Sequence, residues 1–396
     1  MYRINAAIGT LALSLCVATA AHAYDGLVEK KVFTLPAYTT VGGKVIKDLR
    51  VGWESYGTLN AARDNVIVVP HFYSANSHVA GKYKADDKLP GYWDGIIGAG
   101  KPIDTDKYFV VSVDSLVNLN SKDGVTVTTG PASIDPDTGK PYGLSFPVVT
   151  IPDFVRVQKA LLDTLGVRKV QASIGVSMGG LQSYEWAARY PEMVERVIAV
   201  DATASQSAYA IAALENWSGP IRVDQNWNNG DYYGGPEPLN GVAQAFFNVV
   251  VGARHPEYAA AAFAHKWAVD GKNPLDDYRN TFLVEKVLKD AGMARARATT
   301  DANHMLYMTK ANQLFIAGTA GSAVDPGLKK IRAKTLVVQA RTDLLFPPAD
   351  AKAEAAKLNA NGTPADYVEI DAPGGHLAGI SDIAKAGDAI RAFLAK

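Results

Sequence analysis

Val170-Gln171-Ala172-Ser173-Ile174-Gly175-Val176-Ser177-Met178-Gly179-Gly180-Leu181 is the stretch whose reading decides the fold. Val170–Ile174 reads as a short strand, and Leu181, Tyr184 and Ala188 then recur at helical spacing. Between them lies the chain's only G-x-S-x-G pentapeptide, Gly175 to Gly179. A serine on so sharp a strand-to-helix turn is forced into a strained backbone conformation, and small residues two positions to either side let the two backbones approach. The turn lifts the hydroxyl above the sheet, with the positive end of a helix behind it. The pentapeptide alone is a weak signal. Its strand and helix context nominates Ser177 as a nucleophile.

Working outward, short runs dense in Val and Ile recur as strand candidates at Val66–Val69, Tyr108–Asp114, Val197–Val200, Thr335–Ala340 and Tyr367–Ile370. Lys31 to Leu59 alternates and turns at Val41-Gly42-Gly43-Lys44, an antiparallel hairpin. The helix Asp153–Leu165 gathers Phe154, Val157, Leu161, Leu162 and Leu165 on one face, and Ile383–Leu394 repeats the pattern. Strands alternating with helices predict an α/β fold with a mostly parallel sheet. The rhythm breaks between Gln206 and Leu328, where Trp217, Trp227, Trp267 and Ala-rich helical segments replace strands. The expected organisation is therefore a core of residues 24–205 and 329–396, with a helical cap of residues 206–328 inserted in it.

The 396 residues include 40 Lys+Arg, 40 Asp+Glu and 48% apolar residues. A zero net charge without basic runs removes the footprint of a nucleic-acid binder, and the apolar content excludes wholesale disorder. Met1-Tyr2-Arg3, the uncharged stretch Ile4 to Ala20 and Ala21-His22-Ala23 have the order of a secretory signal peptide, residues 1–23. Cleavage after Ala23 would remove Cys16, the single cysteine, leaving no disulfide and no thiol nucleophile. An exported protein, periplasmic or secreted and without a membrane anchor after cleavage, is the expectation.

A serine nucleophile needs a base, and the base an orienting carboxylate. On such a sheet the chain order is serine, acid, histidine. Of His255, His265, His304 and His376, the first three fall in the cap. His376, in Ala372-Pro373-Gly374-Gly375-His376, follows the last strand. Asp343, beyond strand Thr335–Ala340, is the favoured acid, and Asp201, at the end of Val197–Val200, stays open as its rival. Asp371 is too near His376 in the same loop. The oxyanion donors should be the amide of Met178 and one from the loop His71-Phe72-Tyr73-Ser74. His71 and His78 lack metal-ligand spacing, so no metal is expected.

The chain closely resembles the homoserine O-acetyltransferase family of α/β-hydrolases. The likeness is carried by Trp53-Glu54-Ser55-Tyr56-Gly57-Thr58-Leu59-Asn60, Trp93-Asp94-Gly95, Gly100-Lys101-Pro102-Ile103-Asp104-Thr105 and Thr129-Gly130-Pro131-Ala132-Ser133-Ile134. It continues through Gly139-Lys140-Pro141-Tyr142-Gly143, Ser177-Met178-Gly179-Gly180, Asp301-Ala302-Asn303 with Leu306-Tyr307, and Leu345-Phe346-Pro347-Pro348. The resemblance implies an α/β-hydrolase fold, a triad of Ser177, Asp343 and His376, and an oxyanion hole from the backbone of Tyr73 and Met178. Members acting on homoserine carry an Arg in a Gly-Leu-Ala-x-Ala-Arg run and an Asp after the histidine; here these positions are Phe246 and Leu377. Arg254 is a substitute for the missing cation to be tested. Losing one charge-assisted hydrogen bond to a buried charge costs about 1.5–3 kcal/mol, so the pocket should suit an apolar group better than a zwitterion. The expectation is an exported serine esterase acting on a small-molecule ester, without cofactor, with acetyl-CoA-dependent O-acyl transfer as the alternative. Homodimer formation is left open.

Overall fold

The structure, a computed structural model, describes residues 26–319 and 327–396. The signal-peptide reading of residues 1–23 lies outside them. In chain order the first elements are β1 (Lys31–Thr39), β2 (Val45–Tyr56), β3 (Val66–Val68), β4 (Ile97–Gly98), β5 (Ile103–Asp104), β6 (Phe109–Val113), α1 (Ile151–Thr164), β7 (Val170–Val176), α2 (Met178–Arg189) and β8 (Arg196–Val200). Then come α3 (Ala208–Val223), α4 (Leu239–Ala253), α5 (Pro256–Ala262), α6 (Leu283–Ala298) and α7 (Ala302–Gln313). The chain closes with β9 (Lys334–Ala340), α8 (Pro348–Ala360), β10 (Ala365–Ile370), α9 (Ala378–Ser381) and α10 (Gly387–Leu394).

Eight strands form one sheet in the order β1-β2-β6-β3-β7-β8-β9-β10. The β1–β2 hairpin and its junction with β6 are antiparallel; every later pairing is parallel. The Val- and Ile-rich centres of β3, β6, β7, β8 and β9 are buried on both faces, as the run-like patterning requires. One apolar cluster packs α1 and α2 on one side of the sheet, and a second packs the α10 side. Helix α1 starts where Thr150 and Asp153 satisfy each other's backbone amides, two residues before the start read from periodicity. The C-terminal stretch is not one helix: a 3-10 turn, Ile383–Ala386, leads into α10.

The sheet's register positions the chemistry. In β7 and β8, Val176 pairs with Val200, and Val200 pairs with Val338 of β9. The Ser177 amide donates to the Val200 carbonyl and that of Asp201 to the Val338 carbonyl, both at 2.9 Å. Residues just past the C-terminal strand ends therefore stand side by side, at the edge where open α/β sheets hold ligands. The segment between β8 and β9 contributes α3 to α7. Among the described residues it has no strand beyond the isolated bridges Ser205–Ile316 and Trp267–Phe282.

Candidate active site

Ser177 sits between β7 and α2 with φ 57° and ψ −125°, a conformation that costs a non-glycine residue on the order of 1–3 kcal/mol. The glycines explain how the turn closes. A Cβ on Gly175 would lie 2.4 Å from the backbone of Gly179, and one on Gly179 would lie 2.2 Å from the Pro70 carbonyl oxygen. The second contact presses the start of α2 against the loop that carries Tyr73. Met178 is the first residue of α2, so its amide has no carbonyl one turn earlier to bond. Tyr73 is fixed by its hydroxyl, 2.8 Å from the Thr309 hydroxyl, and by the edge of Trp217, with ring centroids 5.4 Å apart.

The structure brings the three nominated side chains into one relay. His376 Nε2 is 2.7 Å from Ser177 Oγ, across 199 residues of sequence, and His376 Nδ1 is 2.8 Å from Asp343 Oδ2. Asp343 is oriented in turn: its Oδ1 accepts from the amides of Leu345 at 2.8 Å and Phe346 at 3.0 Å, and its Oδ2 from Gln339 Nε2 at 3.2 Å. The loop before His376 is tied down by Thr342, whose hydroxyl donates to Ala372 and accepts from the Gly375 amide. Burial alone would lower the imidazole's pKa. The charge and hydrogen bond of Asp343 outweigh it and hold His376 above its usual range. Asp371, from the same loop, points elsewhere and pairs with Arg341 at 2.7 Å.

Asp201, the rival acid, is also here. One oxygen of each aspartate and one ring nitrogen of His376 all lie within 4.8 Å of one another. Asp201 Oδ1 accepts from the Ala340 amide at 2.6 Å, and Oδ2 faces the Gly379 backbone, whose amide also bears on the carboxyl. This is the described grouping of side chains closest to metal-ligand geometry. Both imidazole nitrogens are engaged, one by Ser177 and the other by Asp343, so the histidine has no free lone pair to offer a metal. His71 is likewise committed, between the Ser115 amide and the Phe72 carbonyl, and His78 contacts Glu54.

The cleft at Ser177 is narrow, with about 360 Å³ of free space only when the open solvent at its mouth is counted. Tyr73, Met178, Leu181, Leu345 and Phe346 line it from the sheet domain; Ala210, Ala213, Leu214 and Trp217 line it from α3; Gln206 and Asn312 add polar edges. No ionisable acid or base other than the Tyr73 phenol is in this lining. The sequence places Trp217 and the other aromatic residues between β8 and β9 over an apolar pocket; the particular α3 face, Ala210, Leu214 and Trp217 at helical spacing, is not nominated by it.

The three residues nominated for substrate contact do not line this cleft. Phe246 is buried beneath the Arg295 guanidinium, 4.7 Å from its ring. Leu377 is half-buried against the apolar core and is not among the residues lining the cleft. Arg254 lies 4.0 Å over the Tyr258 ring and donates to the Gly374 carbonyl at 3.4 Å, so its charge is spent on bracing a loop.

The sheet, its helices and a serine–histidine–aspartate relay at the strand ends define an α/β-hydrolase, and a family model of the alpha/beta hydrolase fold matches residues 89–382. The homoserine O-acetyltransferase of Methanococcoides burtonii is 37% identical over 374 residues, 93% of this chain and 74% of that protein. That of Solidesulfovibrio magneticus is 36% identical over 376 residues, 93% of each chain. Among solved structures, esterase E22 superposes with a TM-score of 0.88 at 47% identity, covering 93% of this chain and 100% of that one. Homoserine O-acetyltransferase from Bacillus anthracis gives 0.88 at 34% identity, covering 93% and 98%. The chain belongs to the homoserine O-acetyltransferase family of α/β-hydrolases. Its relatives are enzymes, and no helix among its described residues is long and apolar enough to cross a membrane.

Proposed function

We propose that the chain is a serine esterase that works through an acyl-Ser177 intermediate. Ser177 Oγ attacks the ester carbonyl while His376 Nε2 takes its proton; the amides of Tyr73 and Met178 receive the oxyanion. As the tetrahedral intermediate collapses, His376 returns the proton to the departing alkoxide. Water then attacks the acyl-enzyme with the same base, releasing acid and free serine. Asp343 keeps the Nδ1–H tautomer and faces the imidazolium that forms.

The observation that favours hydrolysis over transfer is that no Asp, Glu, Lys or Arg is among the described residues lining the cleft beside the triad. A zwitterionic acceptor would leave its ammonium and carboxylate without partners there, at about 1–3 kcal/mol or more each. Kinship supports a second reading at least as strongly: the many homoserine O-acetyltransferases among the relatives favour acetyl transfer to homoserine. Purified protein given acetate and butyrate esters, and separately acetyl-CoA with homoserine, separates the two. Ester hydrolysis outpacing transfer is expected; the reverse result establishes the transferase. Export, as read from residues 1–23, is part of the proposal and is tested by fractionating cells expressing the full chain.

The rate should depend on pH with one sign. The base works only when neutral, and His376 is held above the usual imidazole value of about 6.5. Activity is therefore full on the alkaline side and falls as pH drops through that raised value. A pH–kcat/KM profile whose acid limb lies below the usual imidazole value of about 6.5 would contradict the Asp343 pairing.

A further inference from the structure

Asp201 is not used in the steps above, yet it is wholly buried and faces the base. The parallel register places it one strand from Ser177 and one strand from the loop that carries Asp343. It adopts φ 47°, a left-handed backbone conformation that a non-glycine side chain takes at a cost. The Ala340 amide fixes Oδ1, and Oδ2 faces Gly379, whose backbone amide also bears on the carboxyl and where a Cβ would lie 2.2 Å away.

We propose that Asp201 is a reserve acid for His376, a positioning residue that can orient the imidazole from the neighbouring strand end when the charge of Asp343 is absent. Two carboxylates this close resist ionising together. Asp343 has three hydrogen-bond donors besides the imidazole and holds the charge. Asp201 has backbone amides only, and burial together with the Asp343 charge outweighs them and keeps it neutral. The ionisable groups acting most strongly with Asp201 are Asp343 and His376, and Asp201 in turn raises Tyr367. Removing the Asp343 charge removes one of the two causes that hold Asp201 protonated. One of its carboxylate oxygens already lies within 4.8 Å of a ring nitrogen, so a modest side-chain rotation brings the two toward hydrogen-bond distance.

The inference rests on the acyl-Ser177 reading, and the experiment separates the two. Wild type, Asp343→Ala and Asp343→Ala/Asp201→Asn are compared for ester turnover, with fluorophosphonate labelling of wild type as the check on Ser177. In a serine protease, loss of the lone acid costs about 10⁴-fold in kcat. Here Asp343→Ala is expected to lose no more than about 100-fold, and the double variant to reach about 10⁴-fold. A single variant as inactive as the double overturns the reserve acid while the nucleophile stands; an unlabelled, inactive wild type overturns the reading beneath it. Proton NMR supplies a readout independent of rate and of the double variant's folding. The far-downfield imidazole Nδ1–H signal of a carboxylate-bound histidine should persist in Asp343→Ala at neutral and alkaline pH, and its absence overturns the proposal.

Discussion

Replacing Ser177 with alanine is expected to lower kcat for ester turnover by about a millionfold, the loss found when a relay serine is removed from subtilisin. The effect is large because Oγ is the attacking atom and the group that His376 is positioned to deprotonate. What remains would be water catalysis assisted by the oxyanion donors. Stability should barely change. Ser177 makes no side-chain bond that caps α2, and the strained backbone is retained by alanine. Turnover measured beside thermal unfolding checks this: an inactive variant melting within a few degrees of wild type is the expected pair. Activity above about one per cent of wild type would remove the serine from the mechanism.

The second large effect concerns stability. Glu54, from the block Trp53-Glu54-Ser55-Tyr56-Gly57, is fully buried on β2. Its carboxylate pairs with Lys30 at 2.8 Å and His78 at 3.0 Å, and accepts from the hydroxyls of Tyr56 and Tyr83, both at 2.7 Å. Burial alone would raise its pKa; the His78 hydrogen bond and the Lys30 charge overcome this and bring it to about 2. Glu54→Ala would leave two phenols and His78 facing a hole and Lys30 with Asp114 and Ser77 alone, a loss of about 2–4 kcal/mol. That is a sizeable share of the stability of an ordinary domain. The pH dependence follows from the lowered value. The stabilisation is complete above the unfolded carboxylate's range, near 4.3, and is lost as pH falls toward about 2. Urea titrations at pH 7 and pH 3 should show the wild type losing part of its advantage over Glu54→Gln at the lower pH. An unchanged difference would show that the carboxylate is not the stabilising form.

The strands were legible because β3, β6, β7, β8 and β9 are covered on both faces and so carry unbroken Val/Ile runs. The two-residue β4–β5 ladder carries no such signal; two residues cannot show a period. The relay was legible one residue at a time, from glycines that permit the turn at Ser177 and from loop positions after β9 and β10. What the sequence could not supply was distance. Asp343 and Asp201 follow equivalent strand ends, so pattern alone sets them as rivals, whereas the register places both carboxyls against one imidazole. Arg254 misled for a related reason: a cation in the right region says nothing about whether an aromatic ring and a carbonyl have already claimed it.

Gly375 takes φ +69°, and a Cβ there would lie 2.6 Å from the His255 amide and 2.7 Å from the Ala253 carbonyl. The peptide immediately ahead of His376 thus rests on the junction between α4 and α5, where Arg254 grips the Gly374 carbonyl. Proton transfer and substrate enclosure consequently share a hinge point. Grafting the α3–α7 region of one relative onto another would retune the first while meaning to alter only the second, and chimeras in this family need their histidine loop and its helical buttress exchanged together.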